Sequence, residues 1–408
     1  MRMSRRQVLA TAATAATGAL VTACGSPSTP GSGSPVAGTA EAVPATPAKP
    51  VVLNVLDVAG NLQLTQPMID DFVKKNPKVI SKVTYTSATA PDLVGKIKAQ
   101  QGAHRVSIGL VLTGTDGLSA GIEQGLWQQL LPANEKLLSN MGAYQEPAAN
   151  MQKLAGENGV VVTYYPSGPL LEYMPDRVSK PPTTAEEFLA YAKANPGKVE
   201  YARPANSGPG RTLLMGLPYI LGDSDPKDPV NGWARTWAYL AELAKYIDRY
   251  PSGTTQTMKD LASGTVDIIA STTGWDINAR ALGTVPAEAK ITTMKGFHWV
   301  TDAHYAVVPR GVTKDQEAAV IALVQNMLTP EQQAQAYDTG YFYPGPAISG
   351  VDASMAPEKS QQVLATYGRP EYDALIEGNP KEVPLESALL VKAFDTWDRQ
   401  IGGSKVEK

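Results

Sequence analysis

"GVVVTYYPSGPLLEYMPDRV", residues 159–178, is an apolar run with a break in its middle. Val160 to Thr163 and the pair Leu170 and Leu171 have the composition of buried strands. Tyr164, Tyr165, Pro166, Ser167, Gly168 and Pro169 stand between them. Two prolines and a glycine do not belong in a central strand. Consecutive tyrosines in an extended chain put one phenol on each face. The stretch therefore poses a question about what aromatic, hydroxyl and bend-forming residues do inside an apolar run.

The chain on either side alternates strand and helix patterns. "VVLNVLDVAG" (51–60) alternates apolar and polar residues and ends in glycine. In "LTQPMIDDFVKKNP" (64–77), Met68, Ile69, Phe72 and Val73 share one helical face. "KVTYTSA" (82–88) predicts a strand and "DLVGKIKAQQ" (92–101) a helix. "RVSIGLVLTGTDGLSAGIEQGLW" (105–127) predicts strand, glycine turn and helix. Beyond the break, "TTAEEFLAYAKANPG" (183–197) is a helix with a threonine cap and an Asn-Pro-Gly stop. "KVEYARP" (198–204) predicts a strand, "SGPGRTLLMGLPYIL" (207–221) a turn and helix, and "GWARTWAYLAELAKYI" (232–247) an amphipathic helix. "TMKDLASGTVDIIASTTGW" (257–275) reads as a helix, then a strand at 266–270. "HYAVVPRG" (304–311) is a strand stopped by Pro309, and a helix pair surrounds Thr329-Pro330. Repeated alternation predicts an α/β fold with a parallel sheet covered by helices.

The N-terminus has the layout of an export signal over 1–23: Arg2, Arg5 and Arg6, then the short apolar run "QVLATAATAATGALVTAC". "SRRQVLA" is similar to a twin-arginine motif, with Val8 where that motif most often has Phe; an ordinary charged n-region reads the same way. "VTAC" resembles a bacterial lipoprotein cleavage box, which makes Cys24 the lipidated residue. Cys24 is the only cysteine, so the fold has no disulfide framework. Residues 25–49 are Gly, Ser, Pro, Ala and Thr with almost no large apolar side chain, so 24–49 is predicted to be the lipidated cysteine and a disordered tether. The expected localisation is a cell-membrane-anchored lipoprotein facing the periplasm or the cell exterior. Lys and Arg number 36 against 39 Asp and Glu, and without the three N-terminal arginines the net charge is −6. No basic run with interleaved aromatics occurs, which argues against a nucleic-acid partner. No mature segment has the length of a membrane span.

The order of elements and four local motifs resemble the extracellular solute-binding proteins of ABC importers, in the branch with the polyamine, iron and thiamine binders. The motifs are "PDRVSKPPTTAEEFLAYAKANPGKVEYARP" (175–204), "LASGTVDIIAST" (261–272), "DAHYAVVPRGVTKDQEAAVIALVQNMLTPEQQAQAY" (302–337) and "GYFYPG" (340–345). The resemblance implies a type II periplasmic-binding-protein fold: two α/β lobes, a hinge of two crossing strands, and a ligand in the cleft. Residues 50–164 with 300–345 would form one lobe. Residues 165–299 with 346–408, including the C-terminal helices, would form the other. Under this reading the broken stretch is the first crossing between lobes and "WVTDAHYAVV" (299–308) is the second.

The same reading places candidate ligand-binding residues on loops beyond strand ends and on the crossings. Asp57 follows the first strand, and Thr113, Thr115 and Asp116 the third; each aspartate serves equally well as a helix cap. Tyr164 and Tyr165 lie at the first crossing, Asp302 and His304 on the second. Ser207 and Arg211 flank a glycine-rich helix start that suits an anion. Trp275 and Asp276 suit a planar cation, and Tyr341 and Tyr343 come from the "GYFYPG" loop. A packing or capping role stands beside each of these. The implied function is capture of a small polar solute by hinge closure and delivery to ABC permease subunits in the membrane, by a monomer without cofactor or metal. Thiamine-like compounds, polyamines, phosphonates and ferric iron are the solute alternatives; a tyrosine–histidine ferric site would draw on Tyr164, Tyr165, Tyr341, Tyr343 and His304. A secreted lipoprotein enzyme is the alternative of another class, although no metalloprotease motif, Gly-x-Ser-x-Gly elbow or phosphate-binding loop is present.

Overall fold

A computed structural model describes residues 41–58 and 60–407. The export signal, the twin-arginine motif and Cys24 lie outside the described residues. The strands are β1 (Val51–Asp57), β2 (Ile80–Ser87), β3 (Leu110–Thr113), β4 (Gly159–Gly168), β5 (Leu170–Tyr173), β6 (Val199–Glu200), β7 (Ile268–Ser271), β8 (Lys290–Thr292), β9 (Trp299–Val307) and β10 (Lys381–Glu382). They form two sheets. The first has the order β10-β9-β3-β1-β2, with β4 also paired to β9, and the second the order β6-β7-β5-β8.

The predicted parallel pairing holds for β1 with β2 and β3, where helices separate the strands. It fails elsewhere. β9 runs antiparallel to β3 and β4, and β5 runs antiparallel to β7 and β8. The reason is topological: β9 enters the first sheet from the second one, against the direction of the strands that left. β6 is also shorter than its apolar stretch predicted, because the chain turns away at Tyr201 to reach the next helix.

The opening question has a structural answer. β4 remains paired with β9 through Tyr164–Ala303, Tyr165–Asp302 and Gly168–Val300, with a register irregularity between Tyr165 and Gly168 that takes up Pro166. Ser167 adopts left-handed backbone there (φ 70°). The chain changes sheet at Pro169, between β4 and β5. Gly168 is required by proximity: a Cβ would stand 2.7 Å from Thr212 Oγ1 and 3.1 Å from the Ser271 carbonyl oxygen. The helix Gly208–Leu221 seats on the same bend, since a Cβ at Gly216 would come within 2.5 Å of the Pro169 ring.

Each sheet has its own core. Leu53, Val55, Ile69, Leu110, Val160 and Ala306 pack in the first with the helix Lys314–Met327. Leu171, Tyr201, Leu213, Leu217, Trp233 and Ile268 pack in the second with Leu390, Ala393 and Trp397 of the C-terminal helix Ser387–Trp397. Burial of such side chains contributes roughly 1.5–3 kcal/mol each. Local signals behave as the sequence predicts: Thr184 caps the helix Ala185–Ala194 through the Glu187 N–H, and Thr329 caps Pro330–Ala334. One stretch departs from prediction. Residues 41–49 lie against the first core: Val43 is buried and its N–H donates to Asn134 Oδ1 at 3.0 Å, while Ala48 N–H donates to Asp315 at 2.9 Å. A buried valine, two backbone donors and an ion pair of Glu41 with Lys314 hold a segment whose composition alone predicts disorder.

Candidate functional site

Strand ends and helix starts from both sheets converge on one cavity of about 260 Å³. From the first sheet come Val58 and Gly60 after β1, Gly114 and Asp116 after β3, Tyr165 on β4, and Asp302 and His304 on β9. From the second sheet's side come Asn206, Ser207, Gly208 and Arg211, then Thr254, Thr255 and Trp275. The starts of the helices Thr115–Glu123, Gly208–Leu221 and Thr254–Ser263 all reach its wall. Their free N–H groups give this wall partial positive character.

The floor is an ion cluster. Arg211 Nη1 lies 3.1 Å from Asp116 Oδ2, and Nη2 donates to Asp302 Oδ2. Asp302 is further held by Thr115 Oγ1 at 2.7 Å and by the Tyr165 hydroxyl at 2.8 Å. Burial alone would raise the Asp302 pKa, but the Arg211 charge and these donors hold it below the usual carboxylate value. Burial likewise works against the charged form of Arg211, and Asp302 and Asp116 override it, keeping the guanidinium protonated. Burial pushes His304 down to about 4, with Arg211 adding to the effect and Asp302 opposing it, so the imidazole is neutral at pH 7. Two carboxylates and one guanidinium leave the floor one net negative charge.

The walls are aromatic. Phe342 stacks on Tyr165 at 4.6 Å, meets the His304 ring edge-on at 4.4 Å, and lies 4.0 Å from Tyr341 between centroids. Trp275 stands edge-on to Tyr341 at 5.2 Å. Phe342 is held in left-handed backbone (φ 52°), which costs on the order of 1 kcal/mol for a non-glycine residue. Tyr164 and Gly345 exchange backbone hydrogen bonds of 2.9 and 3.2 Å, and Phe342 N–H reaches the Gly274 carbonyl oxygen at 3.3 Å. A Cβ on Gly274 would come within 2.3 Å of the Phe342 ring, so the glycine is what admits it.

Of the sequence-predicted residues, Asp116, Tyr165, Ser207, Arg211, Trp275, Asp302, His304 and Tyr341 line the cavity. Thr115 supports it through Asp302. The others are elsewhere. Asp57 caps the helix Leu62–Lys75, accepting from Asn61 N–H at 2.9 Å and Leu62 N–H at 3.4 Å. Thr113 is buried and donates to the Gly114 carbonyl oxygen at 3.3 Å. Tyr164 packs in an apolar cluster with Leu56, Val111 and Tyr305. Asp276 is fully buried among Arg280, Arg369 and Tyr372. Tyr343 packs against Tyr337 and Tyr372. Ser207 faces the cavity but is occupied as a helix cap, accepting from Gly210 N–H at 3.2 Å and sharing a hydrogen bond with Thr254. Arg211, expected to receive an anion, is already spent on two carboxylates. Of the residues suggested for ferric iron, Tyr165, Tyr341 and His304 line the cavity while Tyr164 and Tyr343 pack elsewhere, and among the described residues no group of three or more His, Cys, Asp or Glu is arranged to hold a metal ion.

Sequence reasoning missed Phe342, Thr254 and Thr255. The phenylalanine lies between two tyrosines that drew attention by their hydroxyls. The threonines open a helix that starts at Thr254, three residues before the apolar pattern suggested.

A family model for bacterial extracellular solute-binding proteins matches residues 67–365. The chain belongs to that family. No curated protein sequence matches it. Among solved structures, an ABC transporter protein from Clostridium perfringens is 12% identical with a TM-score of 0.61, covering 86% of this chain and 100% of its own. A periplasmic thiamin binding protein is 15% identical with a TM-score of 0.60, covering 88% and 99%. The apo ferric ion-binding protein of Pasteurella haemolytica is 17% identical with a TM-score of 0.58, covering 85% and 97%. This solute-binding protein thus has the two-lobed type II periplasmic-binding-protein fold. Membership of an extracellular family implies export, and among the described residues no helix is long and apolar enough to cross a membrane.

Proposed function

We propose that this solute-binding protein captures one small polar solute between its lobes by hinge closure and presents it to an ABC permease, as a monomer tethered through lipidated Cys24 and without turnover of the solute. The lobes would divide where the sheets do, at Pro169 on the way out and at 293–298 on the way back. The observation that carries the reading is the cavity itself, lined by Asp116, Tyr165, Asp302 and His304 from one side and by the starts of the helices Gly208–Leu221 and Thr254–Ser263 from the other. A solute touching both walls binds only when they approach, which biases an open–closed equilibrium.

The solute is a small cation with a flat or alkyl body. The excess negative charge of the floor and the rings of Trp275, Tyr341 and Phe342 support this choice. Asp116 is the more accessible of the two carboxylates, with 13% of its side chain exposed against 2% for Asp302. The test is native mass spectrometry of the purified protein, followed by titration of the identified compound with tryptophan fluorescence and melting as readouts. A cationic adduct that quenches fluorescence, raises the melting temperature and is recovered unchanged supports the reading. An anionic adduct, or chemical conversion, overturns it.

A further inference from the structure

The ion cluster is divided unequally between the lobes. Asp302 lies on β9 of the first sheet, and its hydrogen-bond donors Thr115 and Tyr165 belong to the same side. Its Oδ1 also accepts the Ala303 N–H at 2.9 Å. Asp116 is on the helix Thr115–Glu123, whose Leu118 packs with Leu56 and Val111 of that lobe. The anionic half is therefore fixed by first-lobe groups alone. Arg211 comes from the helix Gly208–Leu221, whose Leu213, Leu214 and Leu217 are embedded in the second core. It is the cluster's one charged group from the second lobe, and it is 4% exposed.

We propose that Arg211 is a positioning residue that latches the two lobes together, reaching from the second lobe to bridge Asp116 and Asp302 of the first. Separating the lobes splits both ion pairs. The bridge sets the spacing at which the cavity walls face each other. It depends on no particular solute. Residues 339–342 also meet the second side, Phe342 against Gly274, Tyr341 against Trp275 and Thr339 accepting from Asn278 Nδ2 at 2.6 Å, and this segment is the competing origin of closure.

Small-angle scattering of the dialysed full chain tests this on wild type, R211M, R211K and D116N, with R369M as a control. Arg369 also bonds a buried aspartate, Asp276, but outside the cleft. R211M is expected to raise the radius of gyration by on the order of 1 Å from the roughly 21 Å of a compact chain this long. D116N should give a smaller rise. R211K should fall between wild type and R211M, because a lysine cannot fork to two carboxylates. R369M should lower the melting temperature without expanding the protein. If R211M and D116N keep the wild-type radius, the latch is wrong and closure belongs to the contacts of residues 339–342. Should R211M fail to fold, the near-isosteric D116N decides alone. Native mass spectrometry of the same samples reports solute retention separately, so loss of the latch and loss of the binding reading are distinguishable.

Discussion

Two buried clusters in this protein are near mirror images. At the cleft one arginine, Arg211, lies between two aspartates, Asp116 and Asp302. Beneath the C-terminal helices one aspartate, Asp276, lies between two arginines, Arg280 and Arg369, and also accepts from the Tyr372 hydroxyl at 2.7 Å. The chemistry is the same: buried charges neutralised by charge-assisted hydrogen bonds. The setting differs. The first cluster joins elements of both sheets and floors the cavity. The second joins the helix Thr273–Ala281 to the segment around Arg369 and Tyr372, and Arg369 adds a hydrogen bond of 2.8 Å to the Ala289 carbonyl oxygen. A buried ion cluster is thus no sign of a binding site by itself. What decides is whether its members belong to parts that move relative to each other and whether a solute can reach them.

The comparison can be broken by substitution. The largest loss is expected from D276N, which leaves two buried guanidinium groups without their anion; denaturant unfolding should show a loss of about 5 kcal/mol, with solute affinity kept in the folded fraction. An affinity loss comparable to that of a cleft variant would erase the distinction between the clusters. F342A removes the ring shared by Tyr165, Tyr341 and His304, and should cost about 4 kcal/mol in the same assay while also weakening solute binding.

Titration of His304 is next. Its folded pKa is about 4 against an ordinary value of 6.5. Between these values the unfolded chain binds a proton that the folded one does not. The stabilisation is whole above about pH 6.5 and drains away as pH falls toward 4, by about 3 kcal/mol. Melting curves across that window should show the decline in wild type and lack this component in H304Q. The Asp302 pKa, held below the ordinary value of 3.8, adds a loss at still lower pH. The smallest stability effect is expected from D116N, about 1 kcal/mol or less, because water reaches this carboxylate and screens its pair. That small cost, set beside a marked change in solute affinity, would separate the cleft cluster from its counterpart most sharply.

Much of the fold was legible. The strand–helix alternation and the Thr184 and Thr329 caps follow from short-range rules of spacing, capping and backbone geometry, whereas the switch of sheets inside 164–169 was expected only from the family resemblance. The candidate site was legible only in outline. Tyr164 and Tyr165 are adjacent and chemically identical, and alternation places them on opposite faces without saying which face meets the cleft. Packing against Leu56 and Val111 claimed Tyr164, and the hydrogen bond to Asp302 claimed Tyr165. Trp275 and Asp276 are a second such pair: one lines the cavity, and the other turns into its own side of the molecule.

The sequence by itself determined most of the longer strands and helices, and where loops rich in glycine and hydroxyl residues would follow strand ends, because those properties depend on neighbours a few residues apart. The tertiary structure alone decided that Arg211 would meet the protein's own carboxylates rather than an anionic solute, and that Phe342 would close the wall. Those outcomes depend on charges and ring surfaces brought together from distant parts of the chain, and in a buried setting each charge takes whatever partner the packing of two sheets places within reach.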